Sequence, residues 1–429
     1  MAYGASAAIQ KGIGMMVFLW LAKALPVQEY AEFGLLYALQ SALATLAIAG
    51  LIEAVIGLHR YDDSSAASGA KLFAAANVLS SVMSVVTAAA VAALFLLTAD
   101  ANNWSPLTLL WVVLSGILLA ISTLQSALVR LREQHWASLL LGSVAPLAGL
   151  LVGAVSFGWL GSLSAYFFGT ACGLAVVLLV CGTREVGTWS FRSDAYECRY
   201  LLMRVAPFTL VAVLGWIAGY GNTWLVKFFY ADREVARFAF AYTVSSILQL
   251  VATALNQAWN PRFFRLLQTE PAATVERRCQ QFSLLQGLAL GVVGAVILLA
   301  LPPVLSRLGG NLLSYRAMTM ELLLLFAAYA VSVPWWHAQN YFYAHGKGAD
   351  LMNLSILSTL AGCGLLLLSV WCFGVIGFYI GFLMQMLART ISAAIWARRR
   401  WQIKVAWQGA LAASVLLLGG AGAAVAMSR

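Results

Sequence analysis

The sequence predicts an all-α polytopic membrane protein: two six-helix bundles related by a pseudo-twofold along the membrane normal, with an extra C-terminal helix. Three observations predict it. Thirteen apolar stretches, each near the length of about 20 residues that crosses a bilayer, fill nearly all of the 429 residues. The composition is 62% hydrophobic and only 10% charged, with mean hydropathy +0.85, against roughly 25% charged in soluble domains. A segment of the first half also recurs in the second.

The stretches run over 7–25, 33–57, 72–98, 106–129, 136–158, 161–182, 205–229, 236–259, 282–305, 318–343, 352–372, 374–396 and 405–427. The first carries Lys11 and Lys23 and has no small-residue cleavage site after it, so it reads as a span and not as a removable leader. The second holds Glu53 toward its inner end. The seventh bears Trp216, Tyr220 and Trp224 at intervals of four, with Lys227 after them. In one continuous helix these would share a face.

The eighth stretch places Gln249, Asn256 and Asn260 on one face, suited to interhelical hydrogen bonds or to a polar cavity wall. In the tenth, Pro334 precedes Trp335, Trp336, His337, Gln339 and Asn340; the proline should kink the helix and free a carbonyl. The twelfth contains Arg389, again toward its inner end. The thirteenth is rich in Ala and Gly, and Gly419 to Gly422 reads as a small-residue packing face.

Lys and Arg set the orientation. With the N-terminus inside, the inner links hold seventeen of them and the outer links only Arg233, Arg237, Arg307 and Arg316, plus the terminal Arg429. That is a strong positive-inside bias, and it accounts for the net charge of +10 without nucleic acid as a partner. The contact it implies is with anionic membrane lipid. The six cysteines show no CxxC pairing, which argues against disulfides and zinc. No metal or other cofactor is expected. There is no Gly-rich phosphate loop followed by Lys-Ser or Lys-Thr, no HExxH and no GxSxG. The longest outer link, 306–317, is too short to carry a catalytic domain, so no enzyme is expected.

Glu29, Ala31, Phe33, Tyr37 and Ser41 recur as Glu234, Ala236, Phe238, Tyr242 and Ser246, all at an offset of 205 residues. Each copy follows a span that ends near a lysine, Lys23 or Lys227. Six spans precede the second copy's half, so both halves enter the membrane in the same sense, as in transporters built from parallel repeats with a path between bundles. The expected division is an N-terminal lobe 1–182, a cytoplasmic linker 183–204, a C-terminal lobe 205–397 and an additional helix 398–429.

Charge at mid-bilayer costs at least about 2.5–3.5 kcal/mol, so Lys23 and Lys227 need a reason. They could snorkel to the outer headgroups or face a central cavity and attract an anionic headgroup. Trp216, Tyr220 and Trp224 could be ordinary core, or flat surfaces for sugar rings. Trp20, one turn before Lys23, echoes that design. The candidate substrate site is therefore Lys23, Lys227, Trp20, Trp216, Tyr220, Trp224, Asn256 and Asn340. Glu53 and Arg389 are gate or coupling candidates, or simply inner-interface ion pairs.

The run from Leu21 to Gly34 resembles the opening of bacterial polysaccharide and O-antigen flippases of the multidrug/oligosaccharidyl-lipid/polysaccharide exporter superfamily. The resemblance continues at Gly215, Trp216 and Ile217, at Tyr242, through Leu255 to Phe264, and at Gly374 and Gly377. It implies two six-helix lobes around a cavity open alternately to each side. It also implies transfer of an undecaprenyl-pyrophosphate-linked oligosaccharide across the bacterial inner membrane, with a polysaccharide polymerase and a chain-length regulator as further partners. The family's cationic cavity carries over to Lys23; Lys227 rests on the internal repeat. The chain departs from the family in having thirteen stretches where twelve or fourteen are usual. A drug or cation antiporter of the same superfamily is the alternative, but it should present buried acids where this chain has lysines.

Overall fold

A computed structural model describes residues 2–61, 66–97, 104–183, 189–344 and 348–428. Among them the regular structure is entirely helical. In chain order the helices are α1 (Ala2–Ala24), α2 (Val27–Ala47), α3 (Leu51–Tyr61), α4 (Ala66–Leu97), α5 (Pro106–Leu131), α6 (His135–Leu139), α7 (Ala145–Leu160), α8 (Leu163–Thr183) and α9 (Ala195–Ile217). They continue as α10 (Gly221–Phe229), α11 (Asp232–Thr269), α12 (Ala272–Leu308), α13 (Thr319–Val331), α14 (Val333–Ala344), α15 (Gly348–Phe373), α16 (Ile376–Trp401) and α17 (Gln408–Ser428). Twelve described segments are long and apolar enough to cross a bilayer, the last being Gln408–Met427, and α1 adds the shorter apolar stretch Gly12–Ala24.

Several spans are broken, and the freed backbone groups find partners. Between α2 and α3, Gly50 takes φ +74, a conformation glycine adopts without strain. The interruption frees the Ala49 carbonyl, which accepts from Thr209 Oγ1 of α9 at 2.8 Å. A methyl on Gly50 would stand 2.5 Å from the Thr209 backbone nitrogen, so the turn admits no side chain. Pro146 cannot donate to the carbonyl four residues back, and the chain widens there into a π-helical turn, Leu140–Val144. Ser122 of α5 donates to the Leu141 carbonyl, and Ser126 donates to that of Ser138 at 2.9 Å. The kink expected from Pro334 is present as the break at Ser332 between α13 and α14. There the Ser332 hydroxyl donates back to the Ala328 carbonyl at 2.8 Å.

The seventh expected span, 205–229, is not one helix. It parts at Ala218 to Tyr220, between α9 and α10.

By packing, the chain divides into two compact units: Leu35–Gly221, and Met1–Gly34 together with Asn222–Arg429. Helix α1 packs on α11, among second-half helices, while α9 packs on α3 and α4 of the first half. This grouping differs from the expected lobes 1–182 and 205–397: α1 groups with second-half helices and α9 with the first half, while α10 stays with the second. The expected boundary followed chain order and the long link 183–204, whereas packing follows which faces fit. Within one unit, Gly34 and Ala239 are repeat-equivalent, and a methyl added at Gly34 would lie 2.7 Å from the Ala239 Cβ.

In the larger unit, α17 is seated against α12. A methyl on Gly287 would meet the Gly409 carbonyl, and one on Gly409 would meet that of Ser283. The Ser283 hydroxyl donates to the Ala406 carbonyl at 3.2 Å. In lipid, where apolar area alone drives little association, such backbone approach through small residues is what joins helices. Among the glycines of the run Gly419 to Gly422, Gly420 makes a close approach, to Ala295, while Gly419 and Gly422 face open space. Gly409→Leu is therefore expected to cost at least about 1–3 kcal/mol, the range for overpacking. Gly419→Leu should leave stability unchanged. Thermal melts of the two variants in detergent check this.

Candidate functional site

Helix α1 ends in a carbonyl-rich terminus, and the described structure caps it with a side chain. Asn311, in the short 3-10 segment Gly310–Tyr315, donates from Nδ2 to the Leu25 carbonyl at 2.8 Å and to that of Lys23 at 3.3 Å. One face of α1 is left uncovered, carrying Met16 (67% exposed), Trp20 (40%) and Lys23 at helical spacing. Among the described residues Lys23 forms no ion pair.

The second lysine is placed differently. Lys227, in the last turn of α10, is ion-paired with Asp232 at the start of α11. Glu32 and Glu29 lie in the same electrostatic neighbourhood. The repeat explains the difference: Asp232 corresponds to Val27, so the first half has no carboxylate at the equivalent place. The two lysines are alike in the sequence and unlike in charge balance.

The aromatic stripe expected on span seven does not form as one helical face, because the chain breaks between Trp216 and Gly221. Trp216 closes α9 half-buried, its indole backing Gly221 and its Nε1 buried without an acceptor. Tyr220 lies in the break, edge-on to Tyr37 with centroids 5.8 Å apart. Trp224 is half-buried in α10. Spacing by four assumed a continuous helix, and Gly219 and Gly221 were the signals against it.

The two amides chosen from sequence do meet. Asn340 of α14, fully buried, donates from Nδ2 to Asn256 Oδ1 of α11 at 3.0 Å. Around them lies a polar seam. Gln286 of α12 donates to the Ala252 carbonyl at 3.1 Å. The His337 ring, 3% exposed, stands edge-on to Phe282 at 5.8 Å, and Phe282 stacks on Trp259 at 4.5 Å. The sequence reading missed Gln286; an amide one turn inside the apolar ninth span was its signal.

Of the gating candidates, Glu53 is exposed in the first turn of α3. Arg389 lies 4.1 Å over the buried Trp335 ring. A further ion pair that joins helices is Arg237 of α11 with Glu321 of α13, with Glu234 at 3.9 Å. It was missed because Arg237 was assigned to an outer link, although α11 begins at Asp232. Among the described residues no group of three or more His, Cys, Asp and Glu converges as a metal site would need.

The Asn340–Asn256 bond can be isolated by a double-mutant cycle. Replacing each by Ala, singly and together, is expected to show a coupling of about 0.6–1.7 kcal/mol, the span measured for hydrogen bonds between membrane helices. Thermal or chemical unfolding in detergent checks it.

Residues 1–267 match the family described as polysaccharide biosynthesis protein. Comparison with curated proteins finds no match. Among solved structures, the chain is similar to the lipid II flippase MurJ in its inward closed conformation: 11% identity, TM-score 0.71, covering 100% of this chain and 93% of that one. It is similar to the eukaryotic MATE transporter AtDTX14, at 12% identity and TM-score 0.63, over 96% and 95% of the two chains. A third likeness is to an inward-facing multidrug resistance MATE family transporter of the MOP superfamily, at 16% identity and TM-score 0.57, over 92% and 94%. These are folds with two six-helix halves, of flippases and transporters and not of enzymes. The chain is a multi-pass membrane protein and belongs to the polysaccharide biosynthesis protein family.

Proposed function

We propose that this protein flips an undecaprenyl-pyrophosphate-linked oligosaccharide across the bacterial inner membrane by alternating access, with its N-terminus on the cytoplasmic side. The observation that carries the reading is the uncovered face of α1. There Lys23, without an ionic partner among the described residues, follows the exposed Trp20 by one turn. An unneutralised ammonium beside a flat ring suits a pyrophosphate joined to a sugar: the cation meets the phosphate and the ring meets the CH face of the sugar. Family membership and the likeness to a lipid flippase fold support the same direction. The polyprenyl tail would stay in lipid while the headgroup crosses. A polysaccharide polymerase and a chain-length regulator are the partners this role calls for.

Lys227, Trp216, Tyr220, Trp224, Asn256 and Asn340 take lesser parts in this proposal. Lys227 already has its counter-charge in Asp232, so it offers less to a further anion. The amide pair serves as a polar joint within its unit. Glu53 and Arg389 remain candidates for coupling. A cation exporter would present acids to its cargo, whereas the uncovered face of α1 presents Lys23.

Lys23→Ala is expected to lower translocation of a fluorescent lipid-linked oligosaccharide in vesicles roughly 10- to 100-fold, the weight of one charge-assisted contact. Lys227→Ala should cost much less. Equal amounts of folded protein must be compared, and wild-type flux in the Lys23 variant would end the proposal.

A further inference from the structure

The polar seam of the larger unit holds more than its amide joint. Phe282 of α12 stands at its centre, stacked on Trp259 of α11 at 4.5 Å and edge-on to His337 of α14 at 5.8 Å. The three helices thus meet through their rings. Gln286 follows Phe282 by one turn, and Asn340 follows His337 by one turn. Both amides are fully buried, and His337 is 3% exposed.

Several polar atoms of this seam lack partners. Neither ring nitrogen of His337 makes a hydrogen bond among the described residues, and neither do Gln286 Oε1, Asn340 Oδ1 and Trp259 Nε1. The Gln286 amide cannot turn about to mend this. Its Nε2 donates to the Ala252 carbonyl at 3.1 Å, and a carbonyl only accepts. Buried polar atoms left unpaired are costly, and that cost falls away when water reaches them.

The helix that carries His337 is interrupted where a bend would move the ring. Helices α13 and α14 part at Ser332, and Pro334 has no N–H to give to the Ala330 carbonyl. With a ladder bond already missing, α14 can tilt against α13 at little further loss.

The charged and titratable groups of the helices packed on α14 are engaged elsewhere or exposed. Arg389 of α16 lies over Trp335 at 4.1 Å. Asp350 of α15 faces Arg400 of α16 at 3.9 Å, and Cys363 and Cys372 lie beyond the stretch Leu351–Leu354 that meets α14. Cys279 of α12 faces the Tyr341 hydroxyl at 3.8 Å. Glu321 of α13 is paired with Arg237 of α11. Arg262 and Arg265 of α11, with Arg277 and Arg278 of α12, are exposed, and α17 has no charged side chain. The imidazole therefore has no charged neighbour among the described residues. An imidazolium in the shut seam would be a charge without a counter-charge in a dry place, which is costly.

We propose that His337 is a proton-exchange site worked by the tilt of α14. The ring is neutral while the seam is shut, and takes up one proton when α14 leaves α12 and water enters. The proton comes from bulk water to the ring nitrogen that lacks one, and returns to water as the seam closes. The exchange itself needs no particular cargo. Its use to couple transport to protons rests on the transport reading above.

The test is hydrogen-exchange mass spectrometry on the full-length protein in detergent, with rates corrected for their intrinsic pH dependence. A hydrated imidazole titrates at about 6.5, so opening of α14 is expected to rise about tenfold from about pH 7.5 to about pH 5.5. His337→Gln should show no such rise. A flat wild-type profile, or the same rise in His337→Gln, overturns the site. Should the variant fail to fold, the wild-type profile decides: a rise confined to α14 supports the site, and one shared equally by α16 overturns it. In vesicles, transfer of a fluorescent lipid-linked oligosaccharide should respond to an imposed pH difference in the wild type and not in His337→Gln. An equal response of both proteins overturns the coupling role. No transfer by either would end the flippase reading, and hydrogen exchange would still judge His337.

Discussion

Water is missing from the bilayer core, so every backbone N–H and C=O there must be satisfied by the chain itself. That constraint shapes this molecule more than any single contact. It demands helices, and it lets a helix break only where another part of the protein supplies the lost partner. The breaks found here obey it. Thr209 answers the carbonyl freed at Ala49, the serines of α5 answer the widened turn before Pro146, and Ser332 answers the interruption before Pro334. A broken span can turn or bend without a large free-energy cost only if these side chains are in place. Such spans are what a protein of alternating access uses for its moving parts.

The same rule decides how helices within a unit are held together. Apolar area contributes little between helices already surrounded by lipid, so close backbone approach and a few interior polar pairs take over. Gly287 with Gly409, Gly34 with Ala239, and Asn340 with Asn256 are three instances. The contact of Gly34 with Ala239 is informative for a second reason. The two residues occupy equivalent places in the internal repeat and pack together within one unit.

Much of this was legible in the sequence. Length and hydropathy mark spans because a bilayer has a fixed thickness, and all thirteen stretches fall on helices. The Asn256 and Asn340 amides were recognisable because a polar group in an apolar span needs a partner. What escaped was whatever depended on a break or on a distant neighbour. The stripe of Trp216, Tyr220 and Trp224 presumed an unbroken helix. The grouping of α1 with second-half helices, and of α9 with first-half ones, is invisible to chain order. The pairing of Lys227 was in reach, since Asp232 lies five residues on and its counterpart, Val27, is apolar. That one difference gives Lys227 a neighbouring counter-charge, while Lys23 has no ion pair among the described residues.

The functional account comes down to the sign of charge that the protein presents to its cargo. The direct measurement is protein-dependent transfer in sealed vesicles, with two cargoes side by side: a pyrophosphate-linked lipid oligosaccharide and a lipophilic cationic dye. Transfer of the anionic glycolipid, with dye movement no faster than in protein-free vesicles, is the expected result. Dye transport with the glycolipid left on its original face would contradict the account.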